Sequence, residues 1–253
     1  MTRSIRCFNS WILAAFILAG VVLAGSAGAQ RVTQRQKEQL KSLAMQTRRK
    51  SDAQRGNIRR ARIALVAAYT KYKLDERRVK LSRNSIGAAQ RSLLSIHLDN
   101  QVGIRNILNP AQFRKFLELT KKMRNPDMDV MPPPEDALMD RIPDREMLKG
   151  LGLSSDQAKR APQLIGPGPE KKKVIDKLRR DSRRMLDLYS NYNLDTAAAR
   201  RLIDAIHASQ VQLAALNHKK QQLIRSVLTE SQFQRLQQEI VKRIRAHKRP
   251  RPR

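Results

Sequence analysis

Apolar residues in the second half of this chain recur with a helical step. Leu202, Ile206, Leu213, Leu216, Ile224 and Val227 follow one another at three-, four- and seven-residue intervals or close multiples. In the first half Val79, Ile86, Leu93, Ile104 and Ile107 trace a matching stripe. This spacing places one apolar face on a helix of about eight turns, and nothing alternates with the period of two that a half-buried strand requires. Asp75 and Asp195, each ending a Tyr-x-x-Tyr-x-Leu-Asp segment, stand where the N-caps of these helices belong. The pattern predicts an all-α fold of two tandem helical-hairpin repeats with long helices.

The two stripes belong to a duplicated segment. Residues 69–123 align with 189–243 without a gap at an offset of 120, and fifteen of 55 positions are identical. Tyr69, Tyr72, Leu74 and Asp75 match Tyr189, Tyr192, Leu194 and Asp195. Farther on, Gln101, Ile104, Arg105, Leu108, Gln112 and Phe113 match Gln221, Ile224, Arg225, Leu228, Gln232 and Phe233. All four tyrosines of the chain fall on equivalent positions. Internal repetition on this scale fixes the organisation: a first repeat over 30–123 and a second over 150–243. Each repeat alone has little apolar surface to bury, so the two are expected to pack as an intramolecular pseudo-dimer, or the chain as a homodimer.

The segments around the repeats read differently. Arg3 and Arg6, an uncharged run from Trp11 to Ala24, and Ala27 and Ala29 before Gln30 read as a signal peptide over 1–29, with an uncleaved anchor the less favoured alternative. Cleavage there removes the only Cys and the only Trp, which excludes disulfides, thiol catalysis and cysteine metal sites. Residues 124–149 hold five prolines and read as an acidic Pro/Met-rich linker; from Asn125 to Met147 it carries seven acids and two Arg. Gly166-Pro167-Gly168-Pro169 breaks the first helix of the second copy. Residues 244–253 read as a basic disordered tail.

One short pattern occurs four times: an apolar residue, a hydroxyl or amide residue, two variable positions, then Gln. The instances are Val32-Thr33-x-x-Gln36, Leu108-Asn109-x-x-Gln112, Leu153-Ser154-x-x-Gln157 and Leu228-Thr229-x-x-Gln232. Within each repeat the two glutamines are separated by 76 and 75 residues. The chemistry is a capping box, in which the N-cap side chain accepts from the N3 amide and Gln reaches back to the N-cap amide. Leu108 and Leu228 can then staple onto Phe113 and Phe233, and Pro110 at N1 loses no needed donor.

A Leu-Thr-x-x-Gln motif twice per helical unit, behind a signal peptide, resembles the Spy/CpxP family of periplasmic stress proteins and the related heavy-metal-resistance sensors. The closest stretch runs from Tyr192 to Ile240, with Asn193-Leu194-Asp195 and Leu228-Thr229-Glu230-Ser231-Gln232. The resemblance implies a small helical, cradle-like dimer that acts as an ATP-independent chaperone or damps envelope-stress signalling, with metal binding in some members. This chain departs from the family in carrying two copies.

Charge and candidate ligands narrow the chemistry. The chain carries +30, of which 1–29 account for two, so an anionic or acidic partner is favoured. Export argues against nucleic acid and for unfolded or partly acidic client proteins, an envelope sensor protein, or anionic envelope polymers. The Tyr69/Tyr72 and Tyr189/Tyr192 pairs, with Phe113 and Phe233, either line a client surface or close the hairpins. Met123, Met128, Met131, Met139 and Met147 are candidate thioether ligands for Cu(I), whereas His97, His207, His218 and His247 lack chelating spacing. No nucleophile elbow, phosphate loop or HExxH pattern is present, so no enzyme activity and no cofactor are expected. Three functions follow: a client-holding chaperone or stress modulator, a periplasmic metal sensor or resistance protein, and a cationic envelope structural protein.

Overall fold

A computed structural model describes residues 31–122, 143, 145–166 and 168–248. The signal segment, Met123, Met128, Met131, Met139 and the end of the basic tail lie outside the described residues, as does most of the linker. Among the described residues every regular element is a helix and there is no strand. The first copy supplies α1 (Gln34–Tyr69), α2 (Glu76–Ile107) and α3 (Pro110–Lys122). Next come α4 (Arg145–Lys149), α5 (Ser155–Arg160) and a 3-10 turn over Ala161–Leu164. The second copy then follows with α6 (Pro169–Ser190), α7 (Thr196–Val227) and α8 (Glu230–Lys248). No described helix is long and apolar enough to cross a membrane.

Helices α2 and α7 are each 32 residues, about 48 Å at the helical rise. Both begin on an aspartate: Asp75 Oδ1 accepts from the Arg78 N–H at 2.9 Å, and Asp195 Oδ1 from that of Ala198 at 2.8 Å. The buried face of α2 carries Val79, Ile86, Leu94, Leu98 and Ile104, and that of α7 carries Ala199, Ile203, Ile206, Leu213, Ile224 and Val227. Leu93 and Leu202 stand beside these stripes, half-buried; Leu94 and Ile203 take the inward positions. A helical period of 3.6 leaves two neighbouring apolar positions equally eligible, and packing chooses between them.

Two boundaries differ from the sequence expectation. The stretch read as linker ends in α4, where Met147 and Leu148 are buried against Ile224, Val227, Leu228, Phe233 and Leu236. Helix α8 continues to Lys248, into the stretch read as tail, because nothing after Glu230 breaks a helix until Pro250. In the second copy, Gly166 (φ 67°) turns the chain left-handed after the 3-10 turn, a conformation that favours glycine, and Pro169 opens α6.

The compact units cut across the two halves of the sequence. Among the described residues, one unit combines 31–59, 87–122 and 178–207, and the other combines 60–86, 143–177 and 208–248. Each therefore draws helix segments from both copies. In the first, Leu40, Ile104, Leu108 and Phe113 form the core, with Val32, Leu43, Ile107, Phe116, Leu117 and Tyr192 around it. Helices α1 and α2 approach closely at Gly103, where a Cβ would stand 2.9 Å from Leu43 Cδ2. Farther along, the buried Thr47 hydroxyl donates to Asn100 Oδ1 at 3.0 Å. The second unit has two clusters. Leu65, Ala68, Tyr69, Val79 and Ile86 make one; Leu151, Leu164, Ile224, Phe233 and Leu236 are among the members of the other.

Candidate functional site

The four glutamine motifs open four helices, and each closes a capping box. Gln36 N–H donates to Thr33 Oγ1 at 3.1 Å while Thr33 N–H donates to Gln36 Oε1 at 2.9 Å. The same reciprocal pair joins Asn109 and Gln112 (2.9 and 3.0 Å), Ser154 and Gln157 (3.3 and 2.9 Å), and Thr229 and Gln232 (3.3 and 3.0 Å). Leu108 shares a core with Phe113, and Leu228 with Phe233, so each N′ leucine packs on the ring five positions later.

The glutamines then meet in pairs. Gln36 Nε2 donates to Gln112 Oε1 at 3.0 Å, and Gln112 Nε2 returns a bond to Gln36 Oε1 at 3.1 Å. The remaining amide protons go to Ile107 O at 2.7 Å and Arg31 O at 3.0 Å. In the other unit Gln157 and Gln232 do the same at 2.7 and 3.0 Å, with Val227 O and Gly152 O as the outer acceptors. Each side-chain oxygen accepts twice and each amide nitrogen donates twice, which saturates the group. Capping alone is satisfied by Glu; facing another capping residue and giving two protons to carbonyls requires an amide. The 76- and 75-residue separations brought both members of each pair into view, but not their mutual contact.

Beside each glutamine pair an arginine closes the end of a helix from the other copy. Arg105 Nη2 donates to Tyr189 O and Asn191 O, both at 2.7 Å, and Nε to Asn191 O and Tyr192 O, both at 3.0 Å. Its Nη1 donates to Gln101 O at 2.6 Å and Gln101 Oε1 at 3.0 Å. Arg225 repeats this on Tyr69 O, Lys71 O and Tyr72 O at 2.6–3.1 Å, with Nη1 on Gln221. Each guanidinium lies 4.4 Å from a ring centroid, Arg105 over Phe113 and Arg225 over Phe233. The carbonyls at the C-terminal ends of α6 and α1 lack intrahelical donors and carry partial negative charge, so a planar cation with five donors suits both needs. Tyrosines answer from the opposite side: the Tyr192 hydroxyl donates to Leu108 O at 3.0 Å and the Tyr72 hydroxyl to Leu228 O at 2.9 Å.

Electrostatics agree with this fixed role. Burial lowers the Arg105 pKa against the opposing influence of Tyr189 and Tyr192. Burial lowers that of Arg225 to about 10, with Tyr69, Glu76 and Tyr72 acting the other way, so it stays charged near neutrality. The two junctions differ at one position. His218, whose counterpart is Leu98, receives Tyr69 Oη at Nδ1 (3.1 Å) and sets Nε2 2.9 Å from Glu76 Oε2. Gln222 Nε2 donates to the other Glu76 oxygen at 2.9 Å. Burial lowers the His218 pKa, Glu76 opposes this, and Arg83 and Arg225 add to it; a neutral ring accepts from tyrosine and donates to glutamate at once.

Several residues singled out above stand elsewhere than a binding surface. Phe113 and Phe233 are 0% and 1% exposed, Tyr69 is buried, and the Tyr72 and Tyr192 hydroxyls are bound to backbone. Tyr189 is half-buried, and burial is the main cause that raises its pKa. The reading of these six as client-lining rings is thereby corrected; aromatic area is drawn into the junctions because stacking under the arginines removes it from water. Met147 is likewise a core residue and not a presented thioether. Among the described residues no group of three His, Cys, Asp or Glu side chains is arranged to hold a metal ion. Sequence reasoning registered Arg105 and Arg225 only as identities; their signal was a charge repeated immediately beside a buried Ile104 or Ile224. These features define an all-helical protein with two capped, arginine-closed junctions. Comparison of the chain with protein families, with curated proteins and with solved structures returned no match.

Proposed function

We propose that this chain is an exported, non-enzymatic binding protein of the Spy/CpxP kind, whose two copies act as the fused protomers of a pseudo-dimer. In this reading it works in the periplasm and holds exposed, partly acidic segments of client proteins without ATP. The observation that carries it is the paired-glutamine junction, built from the family-like motif and closed by a helix end of the other copy. Such junctions hold a fixed helical frame and leave the remaining surface free for recognition.

That surface suits weak, salt-sensitive holding. Arg77, Arg78, Lys80, Arg200, Arg201 and Lys219 are exposed, while Ile63 and Leu81 are 64% and 59% exposed and give isolated apolar contacts among cations. Charged encounter followed by brief apolar contact gives rapid association and rapid release. The test is aggregation of an acidic, chemically unfolded client followed by light scattering. Suppression is expected at low salt and lost at high salt, and the Ile63→Ser/Leu81→Ser double variant is expected to weaken it with unchanged helicity. A chain that never suppresses aggregation contradicts the reading.

A further inference from the structure

The duplication supplies an internal control for the surface, because the same helix occurs twice with different outward residues. Helix α6 and the matching part of α1 share their inward pattern: Leu178 and Met185 answer Ile58 and Leu65, and all four are buried. Their outward faces diverge. On α6 the exposed positions are Lys172, Lys173, Asp176, Lys177, Arg179, Arg180, Arg183, Arg184 and Asp187. The corresponding positions of α1 are Asp52, Ala53, Gly56, Asn57, Arg59, Arg60, Ile63, Ala64 and Ala67. One face is therefore +5 and the other +1, although both serve the same packing role. The excess charge is not a requirement of the fold.

It also has a cost within the helix. Arg180 and Arg184 are four apart, as are Arg179 and Arg183, and like charges at that spacing destabilise a helix by a few tenths of a kcal/mol per pair. Among the described residues, no ion pair engages Arg180, Arg183 or Arg184. At 100° per residue Lys172, Lys173, Arg180, Arg183 and Arg184 lie within about 120° of one another, along about 18 Å of axis. The shape is a narrow line of charge, one helix wide.

We propose that the outward face of α6 binds a linear phosphate polymer without bases, of the inorganic polyphosphate type. The guanidinium fork matches phosphate oxygens two at a time, and the arginine pairs present such forks on successive turns. A chain of linked phosphates follows a line, whereas a membrane presents a plane. The apolar side of α6, with Val174, Leu178 and Met185, is already buried and has nothing to insert into a bilayer. Single-stranded nucleic acid is disfavoured because no aromatic residue lies on this face to stack a base. This inference goes beyond the client-holding role and stands or falls separately from it, since its probe contains no protein.

The experiment is binding of the full chain to long-chain inorganic polyphosphate over a series of salt concentrations. Three other probes run in parallel: polyglutamate, a single-stranded DNA homopolymer and anionic phospholipid vesicles. Polyphosphate is expected to bind tightest. Arg180→Gln/Arg183→Gln/Arg184→Gln is expected to weaken it about tenfold and to flatten the log–log salt slope by about two. The same three positions changed to Lys retain charge without the fork and are expected to fall between the two. Arg59→Gln/Arg60→Gln on the first copy is the control, expected to change affinity by less than about threefold. Circular dichroism of each variant keeps helix content in view. The proposal is overturned if the two glutamine variants lose affinity equally, or if polyglutamate, DNA or vesicles bind as tightly as polyphosphate.

Discussion

An amide and a carboxylate of equal length differ most where two of them must face each other. Gln112 gives its two amide protons to Gln36 Oε1 and Arg31 O while its oxygen accepts from Asn109 N–H and Gln36. Gln112→Glu keeps both acceptances and loses both donations, which leaves two part-buried oxygens unmatched. The expected cost is about 2 kcal/mol near neutrality, read from urea unfolding against the parent at the same pH. Protonation restores one donor, so the deficit is expected to shrink at acid pH. A second residue-scale effect concerns His97, whose pKa is lowered from 6.5 to about 4 by burial and then by Arg55. Above 6.5 the ring is neutral in both folded and unfolded chains and contributes no pH dependence. Between 6.5 and 4 the unfolded chain takes a proton that the folded one refuses, so stability falls as pH drops and levels off below 4. His97→Gln is expected to flatten that part of the Tm–pH profile, and an unchanged profile contradicts the assignment. None of this was legible in the sequence, where His97 is one of four histidines without a chelating partner. Its environment is set by Arg55, forty-two positions away on another helix.

At the scale of elements, the helices were legible from their spacing and their ends from their caps. Asp75 and Asp195 begin α2 and α7 because a short acceptor satisfies an orphan amide, a local rule readable from a few neighbours. The C-terminal ends follow no such rule here. Helix α6 is closed by Arg105 and α1 by Arg225, residues of the opposite copy more than eighty positions away. A sequence reading sees an identical Arg in each repeat and has no means to find its acceptors. The linker boundary failed for the same reason: Met147 and Leu148 become helical by packing on α7 and α8, and a five-residue helix has little intrinsic stability. Arg105→Met keeps the stem that lies over Phe113 and removes every donor to the α6 carbonyls. It is expected to cost about 3 kcal/mol in urea unfolding. Arg105→Lys is expected to recover only part, because a point charge cannot reach three carbonyls in the plane of a fork. Full recovery by Lys contradicts the capping geometry and leaves only the charge.

For the whole molecule, the tandem repeat was legible, but the way its parts are shared was not. Offset identity shows that two segments descend from one; it does not show that each compact unit takes pieces of both. That arrangement makes each copy's helix ends depend on the other copy's arginine, tyrosine and paired glutamines. The most direct test is cleavage of the folded chain at a protease site placed within 124–142, followed by sedimentation in native buffer. One particle containing both fragments, as helical as the intact chain, is expected. Two fragments that separate and sediment as stable, fully helical monomers contradict the sharing of helix segments between the copies.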